Sequence, residues 1–261
     1  MKTKLFAALG GLAVAAGAVS AHAEAPTFFG YNLSASIRAE AAPTYEGGKN
    51  YSVFPGGSVA LTKPWQFDDF WAPDDAASIA LINTKRFSFG AAASLRENRG
   101  NRDVLEGMRN IGWSLQGGGF MNVWPTPWMR VHAEALKGLT AQSGLLVNTG
   151  IDLVAHPRMW NLSAGPRYSW ADDRFNSTYF GVTAAEAAAS PYINSPYTAR
   201  AGSHFAGAEA SAEYKLRPNW RLTFDASYHH MLGDDEHSPL VRQLGKADQI
   251  QGAVGLRFVL G

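Results

Sequence analysis

The chain contains no cysteine, so neither a disulfide nor a thiolate metal site can stabilise its fold. Beyond the N-terminal region it has no run of about eighteen apolar residues, the length that a membrane-spanning helix needs. The net charge is also small, since 23 basic and 22 acidic residues nearly cancel. That balance indicates neither nucleic-acid binding nor a strongly charged substrate.

An export signal is predicted at residues 1–23. Two lysines give a positive start, fifteen apolar residues follow, and Ala-His-Ala at 21–23 has the small residues of a cleavage site. The apolar run is short for a transmembrane anchor, so cleavage before Glu24 is favoured. We therefore expect residues 24–261 to form one exported domain.

Most of the remaining chain alternates between apolar and polar side chains. In residues 160–170, for example, Trp, Leu, Ala, Pro and Tyr alternate with Asn, Ser, Gly and Arg. Because successive side chains of a strand point to opposite faces, such a segment has one apolar and one polar face. The same alternation is found at residues 32–41, 51–62, 79–97, 111–123, 129–135, 145–156, 206–216, 220–228 and 250–260.

Two architectures accommodate such strands. In a soluble sandwich the apolar faces meet in a core, whereas in a transmembrane barrel they face lipid and the polar faces line a lumen. Strands of about ten residues or more suit a bilayer better than the usual five or six of soluble proteins. We therefore predict an all-β fold, a transmembrane antiparallel β-barrel of the outer-membrane type. Four tryptophans lie beside short proline turns, and we predict that they form the aromatic girdle at the membrane interface. They are Trp124, Trp128, Trp160 and Trp220.

The strand count depends on two possible breaks. Splitting the chain at 83–85 and at 172–173 gives twelve strands, and reading both stretches as continuous gives ten. Both numbers are even, as in bacterial single-chain barrels, and we prefer twelve. Thr183 and Glu186 have the spacing of a helix capping box, which predicts a short helical turn at 184–189 within a loop.

Five short motifs are similar to those of one known family. They are Ala-Pro-Thr-Tyr-Glu-Gly at 42–47, Arg-Phe-Ser-Phe-Gly at 86–90, Gly-Pro-Arg-Tyr-Ser-Trp-Ala-Asp-Asp at 165–173, Thr-Tyr-Phe-Gly-Val at 178–182 and Ser-Pro-Leu-Val-Arg-Gln at 238–243. On these motifs the chain is identified as a member of the MipA/OmpV (MltA-interacting protein) family of outer-membrane proteins. The resemblance covers essentially the whole mature chain.

This resemblance implies a location in the Gram-negative outer membrane and a scaffold role in the cell envelope. The family's named member is similar to a protein that joins a membrane-bound lytic transglycosylase to a bifunctional penicillin-binding protein in peptidoglycan remodelling. The implied partners are those two enzymes and outer-membrane lipid. Other members resemble surface antigens or adhesins. A surface adhesin and a small-solute channel therefore stay open as alternatives.

The polar faces carry ionisable residues of both signs. They could line a pore or grip a ligand, or they could pair with one another inside a narrow lumen. Enclosed charge is costly unless it is paired, and mixed signs fit pairs better than a selective ring. We therefore expect a structural network that keeps the lumen shut. Its predicted members are Arg38, Glu40, Arg130, Glu134, Asp152, Arg167, Glu209, Glu213, Lys215, Arg221, Asp225 and Arg257.

Catalysis is not expected. Ser227, His229, His230 and residues 234–237 lie at a predicted strand–loop junction, where an outer-membrane hydrolase is conceivable. The chain lacks a Gly-x-Ser-x-Gly elbow and a His-Glu-x-x-His helix, however. His229 and His230 should point to opposite faces, so they cannot share a metal through the strand alone. We therefore expect no metal and no cofactor.

Partner contacts are expected in the two longest C-terminal loops, residues 184–200 and 233–246. Within the second loop, Leu240, Val241 and Arg242 bring apolar side chains into a charged setting. They could bind a protein partner or fold back over the mouth of the barrel. The sequence leaves both interpretations open.

Overall fold

A computed structural model of the chain describes residues 32–62, 70–140 and 144–260. Its strands form a single antiparallel sheet. The predicted export signal lies outside the described residues. Among those described, no helix is both long and apolar enough to span a bilayer.

In chain order the strands are β1 (Asn32–Pro43), β2 (Tyr51–Thr62), β3 (Ala77–Asn83), β4 (Phe87–Arg96), β5 (Ser114–Thr126), β6 (Met129–Gly138), β7 (Leu145–Ala155), β8 (Trp160–Ala171), β9 (Gly202–Arg217), β10 (Trp220–Met231) and β11 (Asp248–Leu260).

The sheet has an apolar outer face and a polar inner face. Ile37 and Leu81 are 71% and 73% exposed, whereas Arg130 and Asp152 are each 1% exposed. This inverts the usual distribution of a soluble protein, in which charged side chains stay in water. The period-two alternation of the sequence produces it directly, because each strand presents alternate side chains to the two faces.

The sheet is curled so that its two edges approach each other. Its strand order is β2-β1-β11-β10-β9-β8-β7-β6-β5-β4-β3. Arg96 ends β4, near one edge, and Glu46 follows β1, near the other. Nη1 of Arg96 nevertheless donates to Oε2 of Glu46 at 2.8 Å. The polar face therefore encloses a lumen, and the prediction of a transmembrane antiparallel barrel is confirmed.

The described residues contain eleven strands, so neither the preferred twelve nor the alternative ten holds for them. The break at 83–85 is present, because it separates β3 from β4. The break at 172–173 leads instead into a helix, α1 (Asp173–Tyr179). Asp172 caps this helix by accepting a hydrogen bond from the backbone N–H of Phe175 at 2.8 Å.

An odd number of strands has a consequence for the connection between β2 and β3. Since all neighbours in the sheet are antiparallel, these two edge strands run in the same direction. A short hairpin cannot connect strands of one direction. The described end of their connection, residues 70–76, lies inside the barrel, where Ala72 is fully buried. We call residues 70–76 the internal segment.

The two ends of the barrel differ. One end carries short turns at 84–86, 127–128, 156–159 and 218–219, together with the start of β1 and the end of β11. We call it the turn end. The opposite end carries the longer connections, including α1 and three further helices. These are α2 (Ala184–Ala189), α3 (Gly233–His237) and α4 (Pro239–Arg242).

Residues 172–201 and 232–247 pack over this second end, and we call them the cap. Phe175, Phe180 and Ile193 are fully buried within it. The helical turn predicted at 184–189 is confirmed as α2. Both hydrogen bonds of its capping box are present between Thr183 and Glu186, at 3.2 and 2.8 Å.

Candidate functional site

Arg130 projects from the inner face of β6 and joins the barrel wall to the internal segment. Its guanidinium donates to both carboxylate oxygens of Asp75, at 2.6 and 3.0 Å. Its Nε donates to Asp152 of β7 at 2.8 Å. The ring of Phe70 lies 4.7 Å from the guanidinium carbon, which adds a cation–π contact.

Arg167 on β8 repeats this arrangement with the preceding aspartate. It donates to both carboxylate oxygens of Asp74, at 2.6 and 3.1 Å. Its Nη2 also donates to Asp152 at 2.7 Å. Asp152 is therefore shared between the two arginines. We call Asp74, Asp75, Arg130, Asp152 and Arg167 the central network.

Glu134 extends the attachment of the internal segment toward β3. Its Oε2 accepts a hydrogen bond from the backbone N–H of Ala76 at 3.2 Å, and its Oε1 accepts one from Asn148 at 2.9 Å. Nε2 of His132 lies 3.5 Å from Asp75. Three consecutive residues of the internal segment are thus held by side chains of the barrel wall.

A second group of ion pairs lies nearer the turn end. Glu213 lies 3.2 Å from Nη1 of Arg257 and 3.6 Å from Nε of Arg221. Arg38 and Glu40 form a pair at 3.3 Å. The sequence placed all five residues on the polar face, and the structure joins them as two separate sets.

The remaining residues of the predicted network have weaker connections to it. Glu209 is 6% exposed, with Oε2 4.0 Å from Nε of Arg167. Asp225 lines a cavity together with Arg38. Lys215 is exposed at the end of β9. The predicted network did not include Asp74 and Asp75, the two adjacent acids of the internal segment that the arginines bind.

Cavities lie on either side of the internal segment. The largest described one, about 460 Å³, is at the turn end and is lined by Phe70 and Trp71. A cavity of about 190 Å³ lies beside Asp74. A third, of about 250 Å³, lies beneath the cap. The residues of the central network therefore stand between the two ends of the lumen.

A buried histidine links the cap to the barrel wall. Nε2 of His204 is 2.8 Å from Glu46, and its Nδ1 is 2.7 Å from Asp235 of α3. Burial raises the pKa of Asp235 to about 6, although the hydrogen bond to His204 opposes this. Burial also raises the pKa of Glu46, but Arg96 and His204 outweigh it and hold that pKa well below its usual range.

Leu240 and Val241 are not available as an exposed partner surface in this structure. Each is 1% exposed, and the hydroxyl of Tyr45 donates to the carbonyl of Leu240 at 3.0 Å. In this structure the loop that carries Leu240 and Val241 folds back over the mouth of the barrel, which is the second of the two arrangements left open by the sequence. Arg242 alone remains exposed.

The four tryptophans of the predicted girdle lie at the turn end, with one difference among them. Trp128 and Trp220 are 55% and 42% exposed, and Trp160 is 36% exposed. Trp124 is instead half-buried and makes an edge contact with Phe70, with the ring centroids 6.0 Å apart. Trp124 lies on the inward-facing side of β5, so its indole packs against the internal segment.

The residues considered for hydrolysis do not converge. His229 stacks on Phe205 with a centroid separation of 4.1 Å, whereas His230 lies 2.9 Å from Asp248. The part of the chain that the structure describes contains no group of three metal-binding side chains.

A family model described as MltA-interacting protein MipA matches residues 35–260. Comparison with curated proteins gives no match. Among solved structures, the KdgM porin is similar at 10% identity and a TM-score of 0.41, covering 86% of this chain and 98% of that one. An outer membrane channel from Pseudomonas putida F1 is similar at 10% identity and a TM-score of 0.43, covering 94% and 100%. The toluene transporter TbuX of Ralstonia pickettii is similar at 11% identity and a TM-score of 0.35, covering 89% and 90%. With TM-scores below 0.5, none of these likenesses supports a functional conclusion.

Proposed function

Because the chain belongs to the MltA-interacting protein MipA family, we propose that this outer-membrane β-barrel protein is a scaffold of the cell envelope rather than an open channel. The observation that carries the proposal is the attachment of the internal segment. Asp74 and Asp75 each receive two hydrogen bonds from a buried arginine of the wall. A diffusion channel needs a continuous aqueous path, and this segment stands in it.

The proposed partners are a murein lytic transglycosylase and a bifunctional penicillin-binding protein. Both are periplasmic-facing, and the periplasmic end of an outer-membrane barrel is the one with short turns. The turn end would therefore receive them. It offers the exposed residues Arg158 and Lys215, and a cavity of about 460 Å³ opens there.

Site-specific crosslinking in intact envelopes tests this role. A photo-crosslinking side chain at Arg158 or Lys215 is expected to capture the transglycosylase, identified by its mass spectrum and its murein-cleaving activity. The same side chain at Asp103, exposed at the cap end, is the matched control. Capture of neither enzyme from the turn end, or equal capture from Asp103, would contradict the scaffold role.

A non-enzymatic role is part of the same proposal. It is supported by the contacts of His229 and His230, which are engaged with different partners on opposite faces of β10. Incubation of the purified barrel with ester, lipid and peptide substrates is expected to give no turnover that depends on Ser227. Loss of a measured activity in Ser227→Ala would overturn this part.

A further inference from the structure

The cavity of about 250 Å³ beneath the cap has features that the scaffold role does not use. It is bounded by the connections after β1 and β4 and by the inner faces of β9 and β10. Thr44, Glu97 and Asn98 line it and are exposed, so they mark its mouth. Arg96 and Arg99 line its interior side.

Arg99 is buried at 7% exposure and fixed in position. Its backbone pairs with Ile111 through two hydrogen bonds of 2.9 Å each. Its Nη1 donates to the backbone carbonyl of Tyr179. The other two donor nitrogens, Nε and Nη2, have no hydrogen-bond acceptor. These two form the edge of the guanidinium that matches the two oxygens of a carboxylate or phosphate.

The neighbouring arginines show how unusual this is. Arg96 is paired with Glu46 at 2.8 Å, and Arg109 forms two side-chain hydrogen bonds of 2.8 Å with Glu186. Throughout the described ranges, no carboxylate lies within ion-pair distance of Arg99. Burial, and secondarily the charge of Arg109, lowers the pKa of Arg99 to about 10. A buried guanidinium without a counterion is costly, so an anion supplied from outside would stabilise it.

Further unpartnered polar atoms line the same cavity. Nε of Arg96, the hydroxyl of Tyr179 and Nε2 of His229 are buried without a hydrogen-bond partner, as is the acceptor Oε1 of Gln249. Buried polar atoms of this kind are few in folded proteins. Here they gather around one space, and most of them can donate. The set is therefore suited to a ligand rich in acceptor oxygens.

We propose that this cavity binds a small oxyanion, a carboxylate or phosphate group, held by the free edge of Arg99 and by the hydroxyl of Tyr179. Gln249 would accept a hydrogen bond from a hydroxyl of a ligand that carries one. Arg99 lines the cavity and both of its free nitrogens are shielded from bulk solvent, so the bound group would approach them from the cavity. The site is independent of the scaffold role, because it lies at the opposite end of the barrel.

Calorimetric titration of the full detergent-solubilised chain with gluconate, inorganic phosphate and chloride tests the proposal. Gluconate or phosphate is expected to bind and chloride is not, and the better of the two identifies the source of the oxyanion. Arg99→Gln should weaken binding about tenfold or more, since a hydrogen bond to a charged group is lost. Arg102→Gln is the matched control, because Arg102 is exposed on the same connection.

Tyr179→Phe keeps the test decisive if Arg99→Gln fails to fold. It removes only a hydroxyl that has no partner, so the barrel should retain its heat-modifiable gel mobility while binding weakens. The proposal is overturned if neither oxyanion binds, if Arg102→Gln weakens binding as much as Arg99→Gln, or if folded variants at both Arg99 and Tyr179 bind like the original protein.

Discussion

Arg130 and Asp152 are register partners on β6 and β7, and their side chains form two contacts of 2.8 and 2.7 Å inside the barrel. Each is 1% exposed. The same arginine binds Asp75, which belongs to the internal segment. Asp75 thus joins the Arg130–Asp152 pair of the barrel wall as a third member. A substitution in this pair should therefore change the stability of both the wall and the internal segment.

Replacing Arg130 by methionine is expected to destabilise the barrel. The substitution leaves Asp75 and Asp152 with less compensating charge, and breaking a buried ion pair costs about 3–5 kcal/mol. Urea unfolding in detergent, followed by gel mobility and fluorescence, measures the change in the free energy of unfolding. Lys215→Met is the control, since an exposed site should change that free energy by less than about 0.5 kcal/mol. Equal losses in the two variants would contradict the prediction.

Neutralising the internal segment is expected to open the lumen. The double variant Asp74→Asn, Asp75→Asn keeps the size of both side chains but removes the charges that Arg130 and Arg167 bind. Planar-bilayer recordings should show stable openings that the original protein lacks. Asp103→Asn at the cap end is the control. Openings of equal size in the original protein would instead favour the channel over the closed scaffold.

The cap should lose stability as the solution becomes acidic. Burial raises the pKa of Glu186, but hydrogen bonds from Arg109 and Thr183 outweigh it and lower that pKa from 4.5 to about 2. The folded state favours the ionised carboxylate of Glu186. The contribution of this carboxylate to the stability of the cap is therefore complete above pH 4.5 and is lost as the pH falls toward 2. The protection of amides in 183–190 against hydrogen exchange, measured relative to the intrinsic exchange rate at each pH, should therefore fall across this range.

The variant Glu186→Gln supplies the internal comparison for that titration. It should exchange faster at neutral pH and show little of the acid dependence. Glu106→Gln, exposed on the facing connection, should behave like the original protein. An unchanged acid dependence in Glu186→Gln would assign it to another group.

Gly165 is expected to tolerate no side chain. A Cβ at this position of β8 would lie 1.7 Å from the carbonyl oxygen of Ile151 on β7. Since the obstacle is backbone, the strands would have to separate, at a cost of about 1–3 kcal/mol or more. Gly165→Ala should therefore reduce the yield of heat-modifiable barrel. Gly202→Ala, with open space around its Cβ, should fold normally.

The parts of this fold that follow from local pattern were accessible from the sequence. Arg130 and Asp152 each lie on the polar face of a segment that alternates between apolar and polar residues, so the sequence predicts that both side chains point into the barrel. The hairpin order then makes β6 and β7 neighbours. The capping box of α2 is equally local, because Thr183 and Glu186 are three residues apart and determine the helix start by themselves.

The parts that depend on distant contacts were not accessible. Asp74 meets Arg167 across 93 positions of the chain, and no alternation marks an internal segment. The helix α1 did leave a signal that was missed: Phe175, Thr178 and Tyr179 have the i, i+3, i+4 spacing of a helical face. Asp172 is a further local signal, because aspartate is a preferred N-cap residue and here accepts a hydrogen bond from the backbone N–H of Phe175.

The pairing of β1 with β11 also constrains the order of assembly. Every other pair in the sheet joins strands that are consecutive along the chain, whereas this one joins Ala41 to Gly252 and Leu33 to Leu260. Closing so long a loop carries the largest entropic cost, which only the finished contacts repay. β1 and β11 are therefore expected to pair late, after the neighbouring hairpins have formed. Because β2 and β3 remain the edges of the sheet and the internal segment belongs to the connection between them, this segment has to enter the lumen as those two edges approach each other.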